Sequence, residues 1–273
     1  MDDRSILSKR FVPHELEIAL NGPIGPQRLR EDTVVINENG WFRFLTPSST
    51  VLLYNEIVFS NLSERDTDRE IAEILAEYHN RNLPVTWCVY PWTLPGNLGE
   101  RLLALGAKES VIVTFLGDTA LPLQMVEGAD VTLVDPESKD DFEAYMAALI
   151  EFNKFSADEA AFRRRHYYEL STGPKPAMQL LVGRYKGAVA GCSATMIKED
   201  SGHMTGAYVF PAFQAHGFFQ SFIAASLKFL REAGIKVASG HGNEKSAPWV
   251  TRFGFRPIFQ YKMYDLYPPS IGG

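Results

Sequence analysis

The segment Val209–Leu227 contains the residues whose spacing most directly suggests chemistry. It reads VFPAFQAHGFFQSFIAASL, in which a proline and a glycine bracket a short turn and an apolar run with helical spacing follows. A tight turn that leads into a helix presents unpaired backbone N–H groups where the helix dipole favours negative charge, which suits a phosphate or pyrophosphate. The turn, Ala212–Phe219, carries no acidic residue, and Gly217 has no side chain to hinder an anion. A lone glycine also serves simply to ease a strand-to-helix turn, so both interpretations remain open.

Two histidines near this turn are candidates for proton transfer. His203 begins the strand that leads into the turn, and His241 follows the strand IKVASG. An imidazole titrates near neutrality, so either ring can exchange a proton at physiological pH. A surface or loop position is the alternative for each histidine. Tyr208 and Tyr264 are further possible donors, although tyrosines in strands usually belong to the core or its rim.

The hydrophobic pattern predicts the elements that position these residues in the second half of the chain. Short helices and strands alternate there, with turn residues between them. In order, we expect a strand VTLVD from Val131, a helix opened by Ser138, a helix over Asp158–Leu170, a hairpin turning at Lys186 and Gly187, the strand HMTGAYVF, a helix over Gly217–Ala233, the strand IKVASG, a short helix over Ser246–Phe253 and the strand PIFQYKMYDL.

The first half closes in the same order of elements. We expect strand-like segments from Trp41, a helix capped by Ser63, the strand PVTWCVYP, a short helix over Asn97–Leu105 stopped by Gly106, and the strand VIVTFL. The shared order indicates a duplicated domain whose copies have diverged. We therefore predict two domains, residues 1–127 and residues 128–273, with the boundary near Gly128.

Composition limits the class of protein and its partners. The 273 residues are 45% hydrophobic and 22% charged, which is typical of a globular chain with a sizeable core. The formal net charge of −6 disfavours nucleic acid as a partner, because binding to the phosphate backbone depends on clustered Lys and Arg. Only Cys88 and Cys192 are present, so neither a disulfide framework nor a cysteine metal site can be built, and we predict buried free thiols and no metal. The N-terminal MDDRSILSKRF does not resemble a signal peptide and no apolar window approaches 18 residues, so we expect a cytoplasmic protein without a membrane partner.

The ordered motifs of the second half resemble a known family. The family pattern V-x-P-x-x-[QR]-x-x-G-x-[GA] reads V-F-P-A-F-Q-A-H-G-F-F here, and an amphipathic helix, a strand, Asn243 and the string RFGF follow. This resembles the C-terminal core of the GNAT N-acetyltransferase superfamily over about Val131 to Leu266. The resemblance implies an α/β (α+β) fold of two GNAT-like domains, each a mixed, mostly antiparallel central sheet flanked by helices.

The first half resembles the degenerate N-terminal domain of two-domain members of this superfamily, particularly in LPVTWCVYPWTLPGNLGERLLALGA. In place of the phosphate turn it reads NLSERDTDRE, which has no glycine and puts four carboxylates where a pyrophosphate would bind. Like charges would repel that ligand, so we expect only the second domain to bind the cofactor. A capped and solvated helix start explains the same acids equally well.

The resemblance also implies a cofactor and residues that hold it. Members of the family bind acetyl-CoA or another acyl-CoA, and the backbone of Val209 and Phe210 would pair with the pantetheine arm. Asn243 is also expected to bind the cofactor. The residues of the turn would surround the pyrophosphate: Gln214, Ala215, His216, Gly217, Phe218 and Phe219. An amine then attacks the acyl carbonyl, which needs a base and a proton donor for the thiolate. His203 begins its strand near the place where relatives often carry a glutamate base, and the expected catalytic set is His203, His241 and Tyr208.

The sequence departs from the family pattern at two positions. Phe219 occupies the last small position of the turn, where its bulk either narrows the phosphate approach or points into the core. Val250 stands seven residues after Asn243, where many relatives carry the tyrosine that protonates the thiolate. Valine cannot donate a proton, so another group supplies the acid, or none is needed, or the site no longer catalyses.

The leading hypothesis is a two-domain acyl-CoA-dependent N-acyltransferase, acting as a monomer or homodimer on a small-molecule amine or a peptide. One alternative is a GNAT-like protein that binds CoA or another ligand without transfer, which Val250 favours. Another is an acyl-thioester enzyme of different chemistry in which a histidine carries protons. The basic run Arg163–His166 either attracts an acidic acceptor or forms a solvated helix face. Transfer-RNA-dependent aminoacyl transfer is disfavoured by the acidic balance.

Overall fold

A computed structural model describes residues 13–38 and 40–269. Its helices are α1 (Pro13–Asn21), α2 (Thr67–His79), α3 (Leu98–Ala104), α4 (Lys139–Asn153), α5 (Ala157–Ser171), α6 (Phe218–Glu232) and α7 (Ala247–Arg252). Its strands are β1 (Val34–Glu38), β2 (Trp41–Leu45), β3 (Glu56–Ser60), β4 (Val85–Val89), β5 (Lys108–Asp118), β6 (Asp130–Leu133), β7 (Met178–Tyr185), β8 (Ala188–Ile197), β9 (Ser201–Val209), β10 (Val237–Asn243) and β11 (Arg256–Leu266). Short 3-10 helices cover Pro26–Arg28, Leu52–Tyr54 and Pro211–His216.

The chain divides into two compact units. Unit 1 consists of Met1–Gln27 and Thr114–Ile258, and unit 2 consists of Arg28–Val113 and Phe259–Gly273. This division differs from the predicted single cut after residue 127, because the boundaries at residues 113 and 258 fall inside β5 and β11. Hydrophobic periodicity identifies a strand, but it does not reveal which partners the two ends of that strand join.

Unit 1 has a mixed, mostly antiparallel sheet with helices on both faces. Its strand order is β5-β10-β9-β8-β7-β6, in which β10 and β9 are parallel and the pairs from β9 to β6 are antiparallel. Phe218 and Phe222 of α6 pack on one face with Val209, while Tyr145 of α4 and Tyr167 of α5 pack on the other. The predicted fold class is confirmed for this unit.

Unit 2 repeats the arrangement with fewer helices. Its strand order is β1-β2-β3-β4-β11-β5, in which β3 and β4 are parallel and β1/β2, β2/β3 and β4/β11 are antiparallel. Helix α2 packs Ile71, Leu75 and Tyr78 against Ile57 and Trp87 of the sheet. Both units therefore contain a parallel pair of strands joined through a helix. The shared order of strand, helix and strand was predicted from the sequence, whereas the parallel pairing was not.

The local signals in the sequence account for most of the boundaries. Gly106 and Gly254, which follow the two short helices, adopt φ angles of +86° and +97°, a region that glycine enters without strain. Helix α2 begins at Thr67 rather than at the predicted cap Ser63, because the Ser63 hydroxyl instead forms a turn with Asp66. Helix α1 and strand β1 were not predicted. Both cysteines are free and buried, as predicted.

The N-terminal stretch that was compared with a signal peptide lies outside the described residues. Within residues 13–38 and 40–269, none of the helices has the length and apolar character needed to span a bilayer.

Candidate functional site

The parallel strands β9 and β10 separate before either one ends. They pair from Ser201 and Val237 to Met204 and Gly240, and beyond that register β9 is paired on its other side with β8. A register shift in the β8/β9 ladder leaves Thr205 of β9 without a directly opposed residue on β8, and an extra residue of this kind bends a strand. Phe219, in the first turn of α6, lies at this gap.

A cavity of about 50 Å³ lies at this gap. Strands β8, β9 and β10, helices α6 and α7 and two phenylalanines form its wall: Phe115, Ser193, Met204, Gly206, Ala207, Phe219, Ile223, Ser226, Gly240, His241, Val250 and Phe255. The volume suits a few water molecules or a small acyl group. Of the described residues in this wall, His241 alone carries a side chain that ordinarily titrates near neutral pH.

The structure brings the two predicted histidines together. The ring centroids of His203 and His241 lie 5.2 Å apart, and the ring planes are nearly perpendicular at 84°. His203 is buried, with 4% of its surface exposed, and its Nδ1 lies 2.9 Å from the Ser239 hydroxyl. His241 is partly buried and faces the cavity. The inner ring of the pair is therefore His203, and the ring on the cavity wall is His241.

Tyr208 lies in a different environment from the two histidines. Its ring packs against Phe152 of α4 at 4.7 Å and joins the apolar cluster beneath α4 and α5. Burial raises the pKa of the Tyr208 hydroxyl above its ordinary value. Tyr208 is not among the cavity wall residues, since Gly206 and Ala207 contribute the wall of β9 nearest to it. The predicted proton-donor role of Tyr208 stays a prediction.

The turn before α6 is a 3-10 helix, Pro211–His216, followed by Gly217. Gln214 and Ala215 are exposed, whereas the His216 ring lies 4.4 Å from the Tyr185 ring. Helix α6 begins at Phe218 without a side-chain cap, and its first turn contains no acidic residue. The first backbone N–H groups of such a helix lack partners within the helix and can meet an anion.

Part of the predicted cofactor-binding backbone is already engaged within the chain. The N–H of Phe210 donates to the Ala190 carbonyl at 2.9 Å, and the Phe210 carbonyl accepts from the N–H of Phe213 at 2.8 Å. Val209 is paired with Gly191 of β8. Any contact from this strand to a pantetheine arm would use backbone groups on the β10 side of β9.

Gly217 packs closely against Val126, a contact that was not predicted from the sequence. Its φ is +78°, and a Cβ atom placed on it would lie 2.6 Å from the Val126 side chain. Val126 in turn donates its N–H to the Ser221 hydroxyl, and the Gln220 side chain donates to the Gln124 carbonyl. The segment Gln124–Val126 therefore lies against the first turn of α6. The glycine admits a close approach by this segment of the chain itself, which the sequence gives no means to foresee.

The two departures from the family pattern both face the cavity. Phe219 lines it and contacts the Phe253 ring at 6.0 Å, so its bulk narrows the gap. Val250 is 8% exposed and also lines the cavity. Asn243 lies at the end of β10, and its side-chain oxygen accepts from the N–H groups of Lys245 and Ser246 at 3.0 Å each. Asn243 thus forms the turn that starts α7.

Several wall residues were not identified from the sequence, including Met204, Gly240 and Ile223. A usable signal was present in the segment SGHGN, where glycines flank His241 within a strand. Glycine inside a strand often marks a close approach by a ligand or another backbone. The signal does not say which face of the strand is open.

The basic run on α5 is paired within its own unit. Arg163 is 3% exposed and bonds Glu159 at 2.7 Å, and Arg164 bonds Glu143 at 3.2 Å. His166 lies 3.0 Å from the Pro26 carbonyl through Nε2. The sequence left two interpretations of this run open, a solvated helix face and a site for an acidic acceptor. Arg163 fits neither interpretation, because its charge is buried and neutralised by Glu159.

Comparisons with known proteins support the tandem fold. No protein-family model and no curated protein matches the chain. A GCN5-related N-acetyltransferase from Kribbella flavida has 16% identity over 95% of both chains, with a TM-score of 0.61. A tandem GNAT protein from the clavulanic acid biosynthesis pathway has 14% identity over 98% of this chain and 97% of its own, with a TM-score of 0.57. A conserved protein of unknown function from Staphylococcus epidermidis has 14% identity over 90% of this chain and 98% of its own, with a TM-score of 0.69.

At identities of 14–16%, such likeness concerns the fold and not the substrate. The resemblance predicted from the turn and the repeated element order is confirmed at that level: the chain has the tandem fold of the GCN5-related N-acetyltransferases.

Proposed function

We propose that the chain is an acyl-CoA-dependent N-acyltransferase, with acetyl-CoA as the simplest donor and a small-molecule amine or peptide as acceptor. One observation carries the proposal: β9 and β10 separate at Met204 and Gly240, and the gap holds a cavity whose wall includes His241. The tandem GNAT fold of the neighbouring structures supports the same reaction class.

The residues of unit 1 fit an acyl-CoA in three respects. The uncapped start of α6 offers backbone N–H groups and no carboxylate to a pyrophosphate. Gln214 and Ala215 are exposed, so the turn is open to solvent on that side. The cavity is largely apolar and of a size for an acyl group. A bound acyl-CoA would supply the acyl group as a thioester.

The residues of this chain would then transfer the proton of the attacking amine. His241 is the group on the cavity wall that can accept a proton from the attacking amine. Val250 can neither accept nor donate one, so the proton for the departing thiolate would return from His241. One histidine would serve first as base and then as acid. This assignment uses the observed wall and does not require the tyrosine of the family pattern.

A second candidate function is binding of a CoA ligand without transfer. Val250 favours it, because its apolar side chain occupies the cavity wall where a proton donor would be useful. The enzyme and the binding protein differ in one measurable property. Both should bind CoA, and only the enzyme should release CoA thiol from acetyl-CoA when amines are supplied.

The first experiment is calorimetric titration of the protein with acetyl-CoA and with CoA. Ala215→Glu places a carboxylate on an exposed position of the turn, where it should repel a pyrophosphate and weaken binding at least about tenfold. Ala161→Glu makes the same change on an exposed position of α5 and should leave binding unchanged. A substitution of Gly217 is unsuitable, because the Val126 side chain fills the space beside it. Wild-type protein that binds neither ligand would sink the proposal.

A second experiment separates binding from catalysis. His241→Gln keeps a polar side chain at the cavity wall but removes the titrating group. If the chain is an N-acyltransferase, this variant should bind acetyl-CoA and show at least about a hundredfold slower CoA release with an amine that the wild type accepts. Undiminished release would remove His241 from the proton transfer and with it the chemistry assigned here.

A further inference from the structure

We propose that Phe219 limits the donor to a short acyl group, acetyl or propionyl, and is therefore a specificity-determining residue. The inference rests on the proposed function, because it identifies which acyl-CoA would occupy the cavity between β9 and β10. It also accounts for a large side chain at the position where the family pattern has a small residue.

The two phenylalanines that begin α6 lie in different surroundings. Phe218 is fully buried and packs in the core with Val209 and Phe222. Phe219 is partly buried and lines the cavity, and its ring centroid lies 6.0 Å from that of Phe253. The Phe219 ring therefore occupies space that a small residue at this position would leave to the cavity.

Two other aromatic rings of the cavity wall have little room to move. Phe115 of β5 and Phe255, just before β11, are both buried. A Cβ atom placed on Gly117 would lie 2.7 Å from the Phe255 ring, and one placed on Gly242 would lie 3.1 Å from the Phe115 ring. In packing this close, an added methylene must displace its neighbours at a cost. A longer acyl chain is therefore not accommodated by movement of Phe115 or Phe255.

The volume of the cavity sets the length of chain that it can hold. One water-sized group needs about 10–15 Å³, so a cavity of about 50 Å³ holds about three to five such groups. An acetyl or a propionyl group falls within this range, and a hexanoyl group exceeds it. The excess of a hexanoyl chain must either displace the wall or stay in water, and both lose affinity relative to acetyl.

The polarity of the wall favours an apolar acyl tail. The hydroxyls of Ser193 and Ser226 are engaged within the fold, Ser193 with the Gly206 carbonyl at 2.7 Å and Ser226 with the Thr195 hydroxyl at 3.0 Å. The described residues of the wall include no carboxylate, ammonium or guanidinium group. A charged tail buried there would lack an oppositely charged lysine or arginine, which makes its burial costly.

The experiment is calorimetric titration of the intact protein with CoA, acetyl-CoA, propionyl-CoA and hexanoyl-CoA. The wild type should bind acetyl-CoA at least about tenfold more tightly than hexanoyl-CoA, because an apolar pocket discriminates by about that factor or more for a single methylene. Phe219→Ala removes the ring from the wall and should reduce this ratio at least about tenfold. Phe229→Ala makes the same change at a partly buried position of the same helix outside the wall, and it should leave the ratio unchanged.

Two further variants keep the test decisive. Phe219→Leu is a smaller change that serves if Phe219→Ala does not fold, and it should give an intermediate ratio. Val250→Ala enlarges the same cavity from α7 without altering the start of α6, so it should reduce the ratio in the same direction by a smaller factor. If Phe219 instead affected only the approach of the phosphates, its substitution would change the affinity for CoA and for every acyl-CoA by the same factor.

The outcomes separate this inference from the proposed function. Equal affinity of the wild type for acetyl-CoA and hexanoyl-CoA would overturn the inference and leave the proposed function intact. An unchanged ratio in the folded Phe219 variants would do the same. A wild type that binds none of the four ligands would overturn the proposed function, and the inference with it.

Discussion

The two units differ in what occupies the end of their parallel pair of strands. Each has a parallel pair of strands whose pairing stops early, at Ile57 and Trp87 in unit 2 and at Met204 and Gly240 in unit 1. Trp87 and Gly240 thus occupy equivalent positions. The Trp87 indole is fully buried and donates to the Ser60 hydroxyl at 2.9 Å, whereas Gly240 contributes no side chain and lines a cavity.

The backbone beyond the two strand pairs shows the same difference, with the gap closed in unit 2 and open in unit 1. In unit 2 the chain closes the gap, because Asn61 and Leu94 form a bridge and the Leu62 N–H donates to the Leu94 carbonyl at 3.1 Å. In unit 1 the gap remains as the cavity between β9 and β10. The two units therefore share a backbone plan, while the Trp87 side chain and the bridge to Leu94 fill in unit 2 the gap that holds a cavity in unit 1.

The helices that follow these strands differ in charge. Helix α2 begins with Asp66, Asp68 and Glu70, and two of these acids pair with arginines, Asp66 with Arg69 and Asp68 with Arg101. Helix α6 begins with no acid in its first turn. This contrast supports the proposal that unit 1 alone binds an anionic cofactor.

The largest effect is expected where unit 2 fills its gap. Trp87→Ala should lower the free energy of unfolding by about 3–5 kcal/mol, because it leaves a buried void and an unpaired Ser60 hydroxyl. Trp249→Ala, at a side chain that is 53% exposed, should change it by less than about 0.5 kcal/mol. Urea denaturation measures both. Similar losses in the two variants would contradict the filled gap.

The contact of Gly217 with Val126 should give the next largest effect. Gly217→Ala adds left-handed strain of about 1–2 kcal/mol and an overlap worth about as much again, for a total of about 2–4 kcal/mol. Gly234 has the same φ of +78° with nothing within 4 Å of an added Cβ, so Gly234→Ala should cost only the strain. Thermal or urea unfolding of the two variants isolates the Val126 contact. Equal losses would show that the segment Gln124–Val126 does not press on the turn.

A leucine at Gly240 would make unit 1 resemble unit 2. The nearest atom to an added Cβ there is Met204 Cε at 3.5 Å, an ordinary contact, so we expect Gly240→Leu to fold and to fill the cavity. Acetyl-CoA affinity should fall at least about tenfold, while CoA, which lacks the acyl group, should lose less. Calorimetry with both ligands makes the comparison. Gly96→Leu, at an open position of unit 2, is the control.

The smallest effect is expected at the charged start of α2. Asp68 is 80% exposed where it pairs with Arg101, so Asp68→Asn should change the free energy of unfolding by no more than about 0.5 kcal/mol. Added salt should reduce the change further. A double-mutant cycle with Arg101→Gln measures the pair. A coupling well above 1 kcal/mol would mean that these acids help to hold unit 2 together.

The sequence by itself determined most elements of both units, although not α1 and β1, and the repeated order in which they occur. Helix periodicity and the glycines after α3 and α7 depend on residues a few positions apart, so they are legible in the chain. The turn at Lys186 and Gly187 was found in the same way. Val250 was singled out by the resemblance to the family pattern, and the structure places it in the wall of the cavity.

Only the tertiary structure decided which of these features lie together around the cavity. The sequence predicts that Gly217 lets an anion approach the turn, and the structure adds a second reason for glycine there, the close contact with Val126, which lies far away in the sequence. The adjacency of His203 and His241 depends on the register between β9 and β10, and the difference between Trp87 and Gly240 has meaning only because both end a parallel pair. Neighbouring residues set the backbone conformation through sterics and hydrogen bonds within a turn. A cavity, in contrast, forms where side chains that are distant in the sequence surround a space without filling it.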